Sequence, residues 1–176
     1  YESEVHVIVR KKAGAEVEFG NTFLLAENPQ GLILDWELFR DSAPADSKLL
    51  PLTVGRMEQV YGAVLKALAG DRGFDSELNR AGLDLDGIYN AVCPRDPREL
   101  QRRSRSWKFK RLQRRRAQTE GRIAIVKNVF LGQRIRSKGF DHREVTVTWT
   151  VLVHNLWVLA RMRQAALDQL ARSHAI

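Results

Sequence analysis

The chain has 176 residues, with 29 Lys+Arg against 21 Asp+Glu, a formal net charge of +8, 44% apolar residues and 28% charged ones. That apolar share supports a packed core and excludes an intrinsically disordered chain, while the single cysteine, Cys93, excludes an intramolecular disulfide and a cysteine-built zinc site. The charge is concentrated: Arg95 to Arg116 holds eleven basic residues against Asp96 and Glu99, so +9 sits there, the other 154 residues sum to −1, and a uniformly basic ribosomal-type tail is excluded.

The length fits one domain of ordinary size. A chain that opens on Tyr1 reads as a trimmed product, and its first dozen residues lack the apolar stretch of a secretory signal. In chain order, the alternation around Val5, Val7 and Val9 predicts a short strand, and Lys11–Gly14 a turn. Glu16–Leu25 and Leu32–Phe39, separated by Glu27-Asn28-Pro29-Gln30-Gly31, predict a β-hairpin over 16–39. A polar loop follows, and then a helix over about Ser47–Tyr61 with Leu49, Leu52, Val54, Met57 and Val60 near one face. A buried strand over Ala63–Ala69, a helix capped by Asp75 or Ser76 and ending near Gly82, and a strand over Gly87–Cys93 predict a parallel pair joined by a crossover, spanning 63–93. Residues 98–130 contain no proline and read as one basic helix, with Leu112, Ile123, Val126 and Phe130 on one stripe. The last helix spans about Arg143–Ala171. Its run Val145–Leu159 is the most hydrophobic in the chain, but it holds three Thr with His154 and Asn155 and falls short of the roughly 20 apolar residues of a membrane span. It reads as a buried helix in which His154 and Asn155 form a satisfied pair, and Trp36, Trp149 and Trp157 read as core. The fold class is α/β, a mixed layer with a three-layer character.

Two acids stand out. Asp71, in Gly70-Asp71-Arg72-Gly73, follows a buried parallel strand, the end at which α/β folds place their sites. Glu120 has Arg116 four residues before it and Lys127 seven after it, all within about 40° on one side of a helix. About 80° from the apolar stripe, Glu120 is expected at the boundary between helix and sheet. A carboxylate between two cations is either a metal ligand flanked by phosphate-binding side chains or one half of a surface i, i+4 ion pair, and spacing leaves both open.

The ordered set of motifs, a hairpin with EVEFGN, a polar loop with Asp46, GDRGFDS, and R-x3-E-x6-K, resembles the catalytic domain of bacterial DDE-type insertion-sequence transposases. In that family the second catalytic Asp lies in an aDrGy/f-like motif, matched by Asp71. The catalytic Glu lies in Y-x2-R-x3-E-x6-K, of which Arg116, Glu120 and Lys127 match three positions, while Gln113 stands in place of the Tyr. His154–Arg161 (HNLWVLAR) is similar to the family's C-terminal helix, so the resemblance covers nearly the whole chain. It implies an RNase H-like mixed sheet flanked by helices in three layers, with residues 1–176 a partial catalytic domain. It further implies catalytic Asp71 and Glu120, two Mg²⁺ ions (or Mn²⁺ in their place) held by three carboxylates, double-stranded DNA as substrate, a homodimer in the active complex, and a place at the nucleoid in the bacterial cytoplasm. The first of the three acids is expected upstream of Tyr1, with Glu2 as the fallback metal ligand, and Asp46 is expected to cap the helix that follows it. A catalytically inactive remnant that still binds DNA, or an unrelated nucleic-acid-binding module, are the alternatives.

Within the block, Arg102, Arg103, Arg105, Lys108, Lys110, Arg111, Arg114, Arg115 and Arg116 repel one another unless a polyanion is near, which favours DNA; Lys127 is a further DNA-binding candidate, and Arg134, Arg136 and Lys138 extend the patch. Trp107 and Phe109 are candidates to stack on an unpaired base or to pack against the sheet. His6, His142, His154 and His174 show no ligand spacing.

Overall fold

The computed structural model describes residues 4–12, 15–62, 65–132 and 135–173. Glu2, Arg134 and His174 lie outside them. The chain divides into two compact units, Tyr1–Ser42 with Arg122–Ile176, and Ala43–Gly121.

In the first unit, β1 (His6–Lys12) pairs antiparallel with β2 (Ala15–Gly20), and β3 (Phe23–Glu27) pairs antiparallel with β4 (Ile33–Leu38). The expected hairpin over 16–39 is therefore two ladders. The long strand breaks at Asn21-Thr22, where the Asn21 amide donates to the Glu4 and Phe39 carbonyls at 3.0 and 2.9 Å. A short polar side chain of this kind competes with the ladder for backbone groups. The turn between β3 and β4 forms where expected: Asn28 Oδ1 accepts from the Gln30 and Leu32 N–H groups, and Gly31 takes φ +91°. Ile33 and Leu38 then pack with Val126, Phe140, Val147 and Val151 in the unit's core. Each such side chain contributes roughly 1.5–3 kcal/mol when fully buried.

The last helix begins earlier than expected because its start is capped from afar. Glu4 Oε2 accepts from the Phe140 N–H at 2.7 Å, and Arg40 pairs with both Glu4 and Asp141. The helix spans Phe140–Ser173 and buries Val147, Val151, His154 and Val158 at i, i+4, i+7 and i+11. Trp149, expected in the core, is 62% exposed, since it sits about 200° around the helix from Val147. Asn155 clamps Ile33, accepting its N–H and donating to its carbonyl, both at 2.9 Å. His154 is 0% exposed but only half satisfied: Nδ1 lies 3.3 Å from Asn155 Oδ1, and Nε2 has no hydrogen-bond partner among the described residues, its ring meeting Phe130 and Trp157 instead.

The second unit contains α1 (Asp46–Tyr61), β5 (Ala67–Gly70), a 3₁₀ turn (Arg72–Phe74), α2 (Glu77–Leu85), β6 (Tyr89–Val92), α3 (Pro97–Arg103) and α4 (Trp107–Ile125), which leaves the unit at Gly121. The last helix of the chain is thus α5. The parallel pair is as expected, with Ala67 opposite Tyr89 and Gly70 opposite Val92. Its core joins Leu50, Val54, Leu83, Ile88 and Val92. In α1, Leu49, Val54 and Met57 are buried as the period predicts, but Leu52 and Val60 are exposed and Leu50 and Thr53 take their places. Ser76 is the cap of α2, accepting from the Asn79 N–H at 3.1 Å, and the helix runs past Gly82 to stop before Gly87 at φ +67°.

The expected single basic helix over 98–130 is three pieces: α3, α4 and a π turn over Val126–Phe130. Ser104–Ser106 interrupt it, and the Ser106 hydroxyl takes the Phe109 N–H at 3.4 Å, capping a new helix. The chain is mixed α/β, but the described strands form three two-stranded ladders and not one three-layer sheet, because the break at Asn21 sends β2 to β1 and β3 to β4.

Candidate active site

The carboxyl ends of β5 and β6 carry the candidate site. Asp71 follows Gly70 directly, and its Oδ1 accepts the Gly73 N–H at 2.8 Å, closing a tight turn that leaves the residue exposed. Arg95, just beyond β6, braces that turn: its guanidinium donates to the Arg72 and Gly73 carbonyls at 3.0 and 3.1 Å. Its N–H donates to Asp75 Oδ2 at 2.9 Å, and Asp75, 5% exposed, is neutralised by Arg80 at 3.1 Å. Asp75 is thus a buried strut of the loop.

Asp46 belongs to the same place. The N-cap of α1 is Ala45 with no side-chain cap bond, so the expected capping role of Asp46 is replaced by another. Its carboxyl lies against the Asp71 turn: a Cβ on Gly73 would fall 2.0 Å from Asp46 Oδ2, so only glycine fits. Burial, and behind it the negative charge of Asp71, push the Asp46 carboxyl up from its ordinary value, against an opposing pull from Arg95. A hard cation relieves that repulsion, and carboxylate oxygens suit Mg²⁺ better than nitrogen or sulfur donors. The donor chemistry at Asp71 therefore fits a divalent metal. Among the described residues, however, no group of three or more His, Cys, Asp or Glu side chains could hold one unaided.

Helix α4 reaches this end through Gln113, whose amide donates to the Gly70 and Ala91 carbonyls and so bridges the carboxyl ends of both strands. Phe109, one turn earlier, is buried. Seven residues is two turns, so Glu120 follows Gln113 on the same face about 10 Å along the axis. Its side chain is 69% exposed, and Arg116 donates to Glu120 Oε1 at 3.1 Å. The boundary position expected for Glu120 is not observed: like its neighbours Ala117, Gln118 and Gly121, it is exposed. Arg116 is half-buried, and its Nε is buried without a hydrogen-bond partner among the described residues. Lys127 lies exposed in the π turn of the first unit. Glu4 is committed to Arg40 and Phe140 within the first unit.

The structure sorts the basic residues. Arg102 and Arg103 both bind Glu99 at 2.8 Å and hold its carboxyl below its ordinary value, and Arg103 also donates to the Asn90 carbonyl. Arg105, Lys108, Lys110, Arg111 and Arg114 are exposed, Arg115 is half-buried, and Arg136 in the first unit is exposed. Trp107 is exposed with the Arg111 guanidinium 4.6 Å from its ring centroid, whereas Phe109 belongs to the core. Spacing alone missed Asp46 and Arg95 as members of the site. One signal was available for Arg95: residues just after β6 must share an end with residues just after β5.

The chain matches the family model described as the transposase DDE domain over residues 11–156. No curated protein and no solved structure matches it.

Proposed function

Because the chain belongs to the transposase DDE-domain family, we propose that it performs DNA strand cleavage and strand transfer at insertion-sequence ends, with Asp71 and Glu120 as catalytic acids. The observation that carries this reading is Gln113. It ties the helix bearing Arg116 and Glu120 to the strand that Asp71 follows, so one compact unit carries both acids on directly linked elements. On this reading residues 1–176 are a partial catalytic domain of RNase H-like architecture, acting as a homodimer on double-stranded DNA at the nucleoid of the bacterial cytoplasm.

Asp71 and Glu120, with Glu2 as the third acid, would hold two Mg²⁺ ions, or Mn²⁺ in their place. Bound there, divalent ions would lower the pKa of an attacking water or 3′-hydroxyl and neutralise charge on the leaving oxygen. The residues of the chain supply the rest. The Gly73 N–H fixes one Asp71 oxygen and leaves the other to face a ligand. Arg95 holds the turn rigid from its carbonyl side. Arg116 keeps Glu120 oriented through its bond to Oε1. The exposed cations of α4 grip the backbone on either side, a salt-dependent and sequence-independent hold.

The test is nicking of supercoiled plasmid in Mg²⁺, run beside a gel-shift assay. Asp71→Ala and Glu120→Ala are each expected to lower nicking by at least about a hundredfold, the scale of losing one charge-stabilising group, while shifting DNA as before. Unchanged nicking in either variant removes that residue from the site. DNA binding by the unmutated chain without any nicking favours the inactive remnant.

A further inference from the structure

The amino-terminal end of the β5–β6 pair carries a cavity of about 800 Å³ that the proposed cleavage site does not use. Lys66 immediately precedes β5 and Tyr89 opens β6, so five residue steps, roughly 16 Å of extended chain, separate Lys66 from Asp71. The volume falls within the range of about 300–1,000 Å³ typical of small-molecule sites.

The cavity's charges are arranged by element. From α2, Glu77, Arg80 and Asp84 line it at i, i+3 and i+7, which is one helix face. From α3 and α4 come Arg103 and Lys108. Two of the four cations are spoken for: Arg80 by Asp75 at 3.1 Å, and Arg103 by Glu99 at 2.8 Å and the Asn90 carbonyl at 3.1 Å. Lys66 and Lys108 have no ion-pair partner among the described residues. The Lys108 ammonium is nevertheless positioned, 3.9 Å from the Tyr89 ring centroid. Ile88, buried, and Tyr89 give the lining an apolar and aromatic part.

A bare anion in this cavity meets Glu77 and Asp84, and a cation meets Lys66 and Lys108. A ligand that satisfies both sides has a phosphate at one end, N–H donors at the other and a flat apolar body between. We infer that the cavity binds an unpaired nucleotide, with its phosphate on Lys66 and Lys108 and the amino group of its base on Glu77 or Asp84. Carboxylates accept from exocyclic amines such as cytosine N4, and stacking on aromatic and apolar side chains is how unpaired bases are generally held. Thymine, which has no amino group and turns two carbonyls outward, is disfavoured. This inference rests on the DNA reading only for the source of the nucleotide, since a free nucleotide and an unpaired nucleotide of a strand offer the same chemistry.

The experiment is fluorescence anisotropy of the chain with short labelled single strands in EDTA, so that no cleavage enters and failure of the nicking assay leaves the result intact. Oligo(dC) is expected to bind about tenfold more tightly than oligo(dT) or an abasic strand, and Lys66→Ala to weaken oligo(dC) by about tenfold, the scale of one charge-assisted hydrogen bond. Asp84→Asn with Glu77→Gln is expected to erase the dC-over-dT preference, whereas Lys110→Ala with Arg114→Ala lowers affinity for both strands and preserves the ratio. Displacement by dCMP assigns the site to free nucleotides as well, and displacement by longer strands alone assigns it to DNA. Equal binding of the abasic strand, displacement by inorganic phosphate as readily as by dCMP, or a Lys66→Ala protein with unchanged thermal stability and unchanged affinity each overturns the inference.

Discussion

At the scale of single residues, the site turns on a glycine. Gly73 donates its N–H to Asp71 and leaves space that Asp46 Oδ2 occupies, so a methyl group there must displace a short side chain or the turn itself. Gly73→Ala is expected to cost about 1–3 kcal/mol, as overpacking generally does, and to reduce nicking along with the melting temperature. Unchanged melting and nicking would show that Asp46 moves aside freely. A second residue-scale effect is set by pH. Burial holds the His154 imidazole below its ordinary value, with the Arg122 charge pushing the same way and the Asn155 hydrogen bond opposing. The neutral ring is therefore the folded form. Above the ordinary histidine value of about 6.5 both states are neutral and stability is complete; as pH falls below it the unfolded chain takes up a proton that the folded chain resists, and stability is lost. His154→Phe is expected to flatten urea stability between about pH 7 and pH 5 relative to the unmutated chain. The exposed turn at Asp71 was legible in the sequence because a strand end and a tight-turn tripeptide are local signals. Asp46 was not, because its partner stands 25 positions away and nothing local distinguishes an acid that caps a helix from one that packs on a turn.

Among elements, α4 carries the most. Phe109, Gln113, Arg116 and Glu120 run along one face from buried core to open solvent, and Gln113 bonds that face to the strands. Gln113→Ala removes two hydrogen bonds, leaving the Gly70 carbonyl to its bond from the Cys93 N–H and taking the Gln113 donor from the Ala91 carbonyl. A loss of about 1–3 kcal/mol in urea unfolding is expected, with nicking falling further than DNA binding. Equal losses in the two activities would show that Gln113 serves stability alone. The parallel pair and α5 were legible from periodicity, since Gly70–Asp71, Gly87 and Pro94 mark the strand ends and apolar residues recur every three or four positions in α5. The break at Ser104–Ser106 was hidden by the surrounding basic residues, all good helix formers. The split of the predicted hairpin was hidden because its cause, Asn21 reaching the Glu4 and Phe39 carbonyls, is a tertiary event.

For the molecule as a whole, the proposed hold on DNA is a matter of charge. The +9 segment is divided by the structure: Arg103 faces inward, while Lys110, Arg111 and Arg114 stand exposed on α4. Each phosphate neutralised contributes about 0.9 to the slope of log K against log salt. The Lys110→Ala, Arg114→Ala double variant is thus expected to flatten that slope for duplex DNA by up to about 1.8, whereas Arg102→Ala, whose guanidinium already binds Glu99, changes it little. A slope unmoved by the double variant places the DNA elsewhere. Stability is just as unevenly divided along α5. Its amino-terminal half is pinned by Val147, Val151, Val158 and the Asn155 clamp, but every residue from Leu159 to Ser173 is exposed. A helical stretch of that length is marginal without packing. Its amide protons should exchange with solvent deuterium at the pace of local fraying, while those around Val151 wait for the unit to open, so a single continuous helix keeps two clocks.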